Sequence, residues 1–190
     1  MLSLIAGLVL FLGVHSLAIV APAARGRWAA QLGAGRWQLL HGLIALAGFA
    51  LLVHGYGLAR HDPVVLYAPP AWARHLALLL MLPVFPLLLA TYLPGRIQAT
   101  LKHPLLAATK AWALAHLLAN GTLAAVILFG SLLAWAVADR ISLKRRVPRA
   151  LRTAPPGRWN DWIAVLGGLA LYVLFVKALH LRLIGVSPLG

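Results

Sequence analysis

The sequence predicts an all-α protein, a polytopic transmembrane helical bundle of six spans, and three observations carry that prediction. Apolar residues make up 62% of the 190 positions and charged residues only 11%, where a soluble domain holds about 45–50% and about 25%. A chain this short cannot bury that excess in one core, because small domains keep much of their surface exposed. Six stretches approach the roughly 20 apolar residues that cross a bilayer. The 17 Lys and Arg residues gather in alternate loops between those stretches, which is the positive-inside pattern. The same composition excludes a disordered chain.

The first span is expected over Leu2–Val20, with His15 near its inner end. Ala21-Pro22-Ala23 looks like a signal-peptidase site. Met1–Gly13 carries no Lys or Arg, however, so the charged n-region of a signal peptide is missing and the segment reads as a retained span. Arg25, Arg27 and Arg36 follow in a loop. The second span, Gln38–Leu58, starts beside Trp37 with His41 at its inner edge and holds His54 toward the outer side. The third, Arg74–Leu93, leads to a loop with Arg96 and Lys102.

Span four, Pro104–Ala119, begins with a proline suited to a first helical position. Thr109, Trp112, His116 and Asn120 lie three or four apart and form one stripe. His103 and Lys110 share another, and Lys110 can extend to the interface by snorkelling. Asn120-Gly121 is a turn pair joining span four to span five, Thr122–Ala138. The two read as a helical hairpin about 24–26 Å long, so the count falls to five spans if the hairpin only re-enters. Ser131, Trp135 and Asp139 form one face of span five. A basic loop, 139–161, contains Arg140, Lys144, Arg145, Arg146, Arg149, Arg152 and Arg158. Trp159 and Trp162 read as an interfacial anchor for span six, Trp162–Leu183. There Ala164 and Gly168 permit close packing, and Lys177 and His180 lie near the end.

Twelve Lys and Arg fall on one side and three on the other. Both termini are therefore expected outside, with the basic loops in the cytoplasm against anionic headgroups. The formal net charge of +14 is thus assigned to lipid and not to nucleic acid. The whole chain, 1–190, reads as one membrane domain.

Cysteine is absent, which excludes disulfides, thiolate catalysis, Cys-held zinc and iron–sulfur clusters. A metal must then rely mainly on the eight histidines. Ionisable groups inside spans are functional candidates by default. His15, His41 and His103 share the inner depth, and His54 and His116 the outer. A bis-histidine haem needs imidazoles from two helices at one level, so His15 or His41 pairs with His103, or His116 with His54. His103 and His116, about 20 Å apart along one helix, cannot share an iron. Asp139 and Arg140 mark the cytoplasmic mouth, either as a headgroup-level ion pair or, with Lys144 and Arg145, as an active-site acid or a haem-propionate clamp. No phosphate-cradling loop, dinucleotide fingerprint, serine triad or zinc-protease pair is present. Three Asp and no Glu leave no paired carboxylates for acid–base work. Membrane redox chemistry, isomerisation of an apolar substrate and transport remain.

HPLLAATKAWALAHLLANG (103–121), LFGSLLAWAVADRISLKRR (128–146), His15-Ser16 and the Pro69-Pro70-Ala71-Trp72 stretch together resemble the NnrU family of bacterial membrane proteins along nearly the whole chain. The resemblance implies a bacterial inner-membrane protein linked to nitric oxide and nitrite metabolism, with a nitrite or nitric oxide reductase system as partner and a small apolar or gaseous ligand. The family is similar in turn to the 15-cis-zeta-carotene isomerases, which use haem b held by His. That similarity implies haem b here and a cis–trans isomerase-like alternative. His15, His103 and His116 are the positions matching the motifs, and depth favours His15 with His103 as axial ligands. A weaker likeness is to isoprenylcysteine-type membrane methyltransferases, which share the His-Pro motif before a hairpin. They place a Glu after it where this chain has Asp139. A non-catalytic assembly or transport factor is the remaining class.

Overall fold

A computed structural model describes residues 1–146 and 151–189, so Pro148 and Arg149 of the basic loop lie outside the described residues. The described residues are helical with no strand. In order they form α1 (Leu2–Val20), α2 (Pro22–Leu32), α3 (Ala34–Ala59), α4 (Ala71–Met81), α5 (Val84–Ala90), α6 (Arg96–Leu101), α7 (Pro104–Ala119), α8 (Leu123–Ser142), α9 (Asn160–Leu174), a π-helical turn at Phe175–Leu179, and α10 (His180–Ile184). Among the described residues five helices are long and apolar enough to cross a membrane: α1, α3, Ala71–Ala90 taken together, α8 and Asn160–Ile184. The protein is a multi-pass membrane protein. The expected bounds of α1 and α7 match those observed, and α7, at 16 residues, is the shorter apolar helix.

Two compact units divide the chain. One comprises Met1–Tyr67 with Gly121–Lys144, the other Ala68–Asn120 with Arg145–Gly190. In the first unit α1 packs along α3, and both meet α8. The α1–α3 approach is set by glycine: a Cβ on Gly55 would strike the backbone of Leu4, one on Gly7 that of Leu52, and one on Gly48 that of Phe11. Close backbone approach of this kind is how helices associate where lipid competes equally for apolar side chains. These contacts define an antiparallel register in which successive pairs lie one turn apart; continued along the seam it sets His15 opposite Ile44, about one turn from His41. Val64–Tyr67 runs extended beside Gly121, whose carbonyl accepts the Leu66 N–H at 2.8 Å, while the Leu123 N–H reaches Val64 O at 2.8 Å. Thr122 then caps α8 by accepting from the Ala125 N–H at 3.3 Å.

In the second unit α7 packs on α4 and α5, and α5 on α9. α7 and α8 belong to different units, and Asn120-Gly121 is where the chain passes from one to the other. Gly168 sits where a Cβ would strike the backbone of Pro86, which is the close packing expected of Ala164 and Gly168. Pro83 cannot donate a backbone hydrogen bond and interrupts the third span. The Leu82 N–H turns to Leu79 O at 3.2 Å, and the Leu78 carbonyl accepts the Tyr172 hydroxyl at 3.0 Å. In hydrocarbon a freed carbonyl must find such a partner.

Candidate functional site

The α1–α3 register brings two of the eight histidines into contact. The His15 and His41 rings lie 5.2 Å apart, edge to face at 74°. Trp135 of α8 stands 5.9 Å from His15 at 84°, and Phe11 lies 4.5 Å away. Trp37 extends the cluster beyond His41 at 6.3 Å. All of these residues sit at one end of the first unit, because His15 is near the end of α1, His41 near the start of α3 and Trp135 near the end of α8.

His15 Nδ1 is 2.6 Å from the Phe11 carbonyl. A carbonyl only accepts, so Nδ1 carries a proton, and in the neutral tautomer that fits this contact the lone pair lies at Nε2. That is the tautomer of a metal ligand or a hydrogen-bond acceptor, with the second nitrogen fixed by the backbone. Trp135 Nε1 is buried and has no hydrogen-bond partner among the described residues. An orphaned buried donor costs about 1–3 kcal/mol, and such groups in native folds call for an explanation such as a bound acceptor. Asp139 and Arg140 stand one turn further along α8, both half-buried, in its last turn.

The contact between the rings also limits what the pair can hold. Two imidazoles trans on one metal, with metal–nitrogen distances of about 2.0–2.1 Å, keep their centroids more than about 6 Å apart. At 5.2 Å no planar macrocycle fits between His15 and His41, so His41 belongs to the wall around His15. Among the described residues no three His, Cys, Asp or Glu side chains converge on a common point. A cofactor that brings its own equatorial nitrogens asks the protein for only one or two imidazoles, and His15 suits that requirement.

The other candidates lie in the second unit. His103 precedes α7 as its N-cap, after Lys102, which adopts a left-handed conformation at φ 62°. The stripe expected on this helix is realised as a chain of contacts. Thr109 Oγ1 donates to Leu105 O at 2.9 Å, His116 Nδ1 donates to Trp112 O at 2.9 Å, and the Asn120 side chain donates to His116 O at 2.9 Å. The Trp112 and His116 rings are 5.0 Å apart. Lys110 is half-buried on the same helix. His15 and His103 therefore belong to different units, as do His54 and His116.

Two features lay outside the sequence expectations. The first is α2, an 11-residue helix where a loop was expected; its signal is Pro22 at the first helical position and the spacing of Arg25, Trp28 and Leu32. The second is a polar corner in the second unit. Both carboxylate oxygens of Asp161 accept backbone N–H groups, from Arg96 at 2.8 Å and Ile97 at 3.1 Å. Buried Asn160 donates to Pro94 O at 2.8 Å and Pro155 O at 3.0 Å. One of only three acidic residues is thus used to pin a loop. Trp159 and Trp162 are exposed, as an interfacial pair would be, and Arg158 stacks 5.0 Å over the Trp159 ring.

Residues 3–188 match the family model described as NnrU protein, and the chain belongs to the NnrU family. No curated protein and no solved structure matches it.

Proposed function

We propose that this NnrU-family membrane protein holds haem b through His15 and carries out redox or isomerase chemistry on a small or apolar molecule, in the service of bacterial nitrogen-oxide metabolism. The observation that carries the proposal is the His15 ring itself. Its Nδ1 is committed to the Phe11 carbonyl at 2.6 Å, its Nε2 is left as a lone-pair donor, and the orphaned Trp135 N–H lies alongside. When bound, the iron porphyrin supplies electron transfer or the binding of a small diatomic molecule. The chain's own part is more limited. The Phe11 carbonyl fixes the His15 tautomer, the Phe11 and His41 rings pack against it, and the indole N–H offers a hydrogen bond to an acceptor entering the site. Arg140, at the end of α8, supplies a guanidinium of the kind that clamps a propionate. In this reading the partner is a nitrite or nitric oxide reductase system of the cytoplasmic membrane.

A histidine series in detergent-purified protein tests the assignment. His15→Ala abolishes or shifts the haem absorption band, and His61→Ala leaves it unchanged. His103→Ala and His116→Ala reveal whether the second unit supplies a second imidazole: loss of the low-spin spectrum in either identifies it. Retention of an unaltered band in His15→Ala contradicts the proposal.

A further inference from the structure

The first unit contains a partly open apolar recess of about 230 Å³, walled by α1, α2 and α3 and bordered by Leu17, Trp28, Leu32, Leu40, His41 and Ile44. We propose that it seats one acyl chain of an anionic phospholipid, with Arg25 and Arg36 on the phosphate. The helical rows set each of these cations one turn before a residue that lines the recess. Arg25, Trp28 and Leu32 fall three and seven apart on one face of α2, and Arg36 lies four before Leu40 in one row of α3. Arg25 is half-buried and Arg36 exposed. The first 61 residues contain no carboxylate side chain, so no acidic group of this segment competes for the guanidinium groups, and guanidinium binds phosphate in a bidentate fork.

Size and chemistry select the occupant. At about 30 Å³ per water-sized group, 230 Å³ takes about eight methylenes, which suits a single flexible chain. Apart from the His41 imidazole and the indole N–H groups of Trp28 and Trp37, the wall is hydrocarbon and offers dispersion contacts, as an alkyl tail requires. α2 contributes no buried residue of its own. Its Trp28 and Leu32 close the recess from the side, so a chain beneath them adds to the contacts this short helix makes with α1 and α3. The recess shares His41 with the wall around His15, although His15 itself does not line it.

Native mass spectrometry tests it. Protein purified in mild detergent is offered equal amounts of phosphatidylglycerol and phosphatidylcholine with the same chains. The native protein retains one phosphatidylglycerol with about tenfold preference, the size expected for guanidinium groups near an anionic headgroup. The R25Q/R36Q variant brings the two lipids to near parity. Arg27→Gln, on another face of α2, keeps the preference. Ile44→Trp fills the recess and lowers retention of both lipids several-fold, and Leu17→Phe does the same with a smaller added volume if the tryptophan variant does not fold. Equal retention of the two lipids by native protein, a preference that survives R25Q/R36Q, or retention untouched by both filling variants overturns the proposal.

Discussion

At the scale of single residues the account rests on two nitrogen atoms, Nε2 of His15 and Nε1 of Trp135. That His15 and His41 are functional candidates was legible in the sequence, since an imidazole in hydrocarbon is costly and rarely idle. That they touch each other was not, because their meeting depends on the register of two helices, which backbone contacts at glycine determine. Trp135 was legible only as a member of a face with Ser131 and Asp139; the isolation of its N–H is a property of the packed state. In protein stripped of ligand, Trp135→Phe removes the orphaned donor and its desolvation cost of about 1–3 kcal/mol while giving up indole volume at a similar cost. Thermal unfolding in detergent should therefore change by less than about 1 kcal/mol. A loss of about 3 kcal/mol would mean that the N–H is bonded within the protein itself.

At the scale of elements the α1–α3 seam decides whether a site exists. Gly55 meets the Leu4 backbone, whereas a Cβ on Gly57, two residues along the same helix, meets nothing within 4 Å. Gly55→Leu should then lower stability by about 2 kcal/mol or more, the cost of overpacking a tight contact. It should also displace His41 from His15 and so alter the spectrum of bound cofactor. Gly57→Leu should do neither. Equal behaviour of the two variants, read by melting and absorption, contradicts the seam. The long apolar helices were legible because length and hydropathy alone specify them. The short ones, α2 and α6, were not, since helices below about 12 residues are marginal on propensity and depend on their surroundings. Nor did the sequence announce that α7 and α8, joined by Asn120-Gly121, pack on different partners. A turn pair specifies that the chain changes direction without saying which neighbour each helix then meets.

At the scale of the whole molecule, composition had already settled that the protein lives in a membrane, and family membership agrees over residues 3–188. The charge pattern goes further and predicts an orientation. The chain has no cysteine, so a single introduced thiol reports on sidedness without background. Ser187→Cys in intact spheroplasts should react with a membrane-impermeant maleimide, and Arg152→Cys only after permeabilisation; the reverse pattern inverts the topology drawn from the Lys and Arg tally. What composition could not provide is the chemistry, because chemistry resides in the tautomer, contact and burial of a few side chains. The central claim, that an imidazole fixed at His15 binds an iron porphyrin, is tested most directly by the absorption spectrum of the unmodified, detergent-purified protein before and after reduction with dithionite. The account predicts an intense Soret band that shifts on reduction, at a stoichiometry near one haem per chain. A colourless protein, recovered folded from cells supplied with haem, would contradict it.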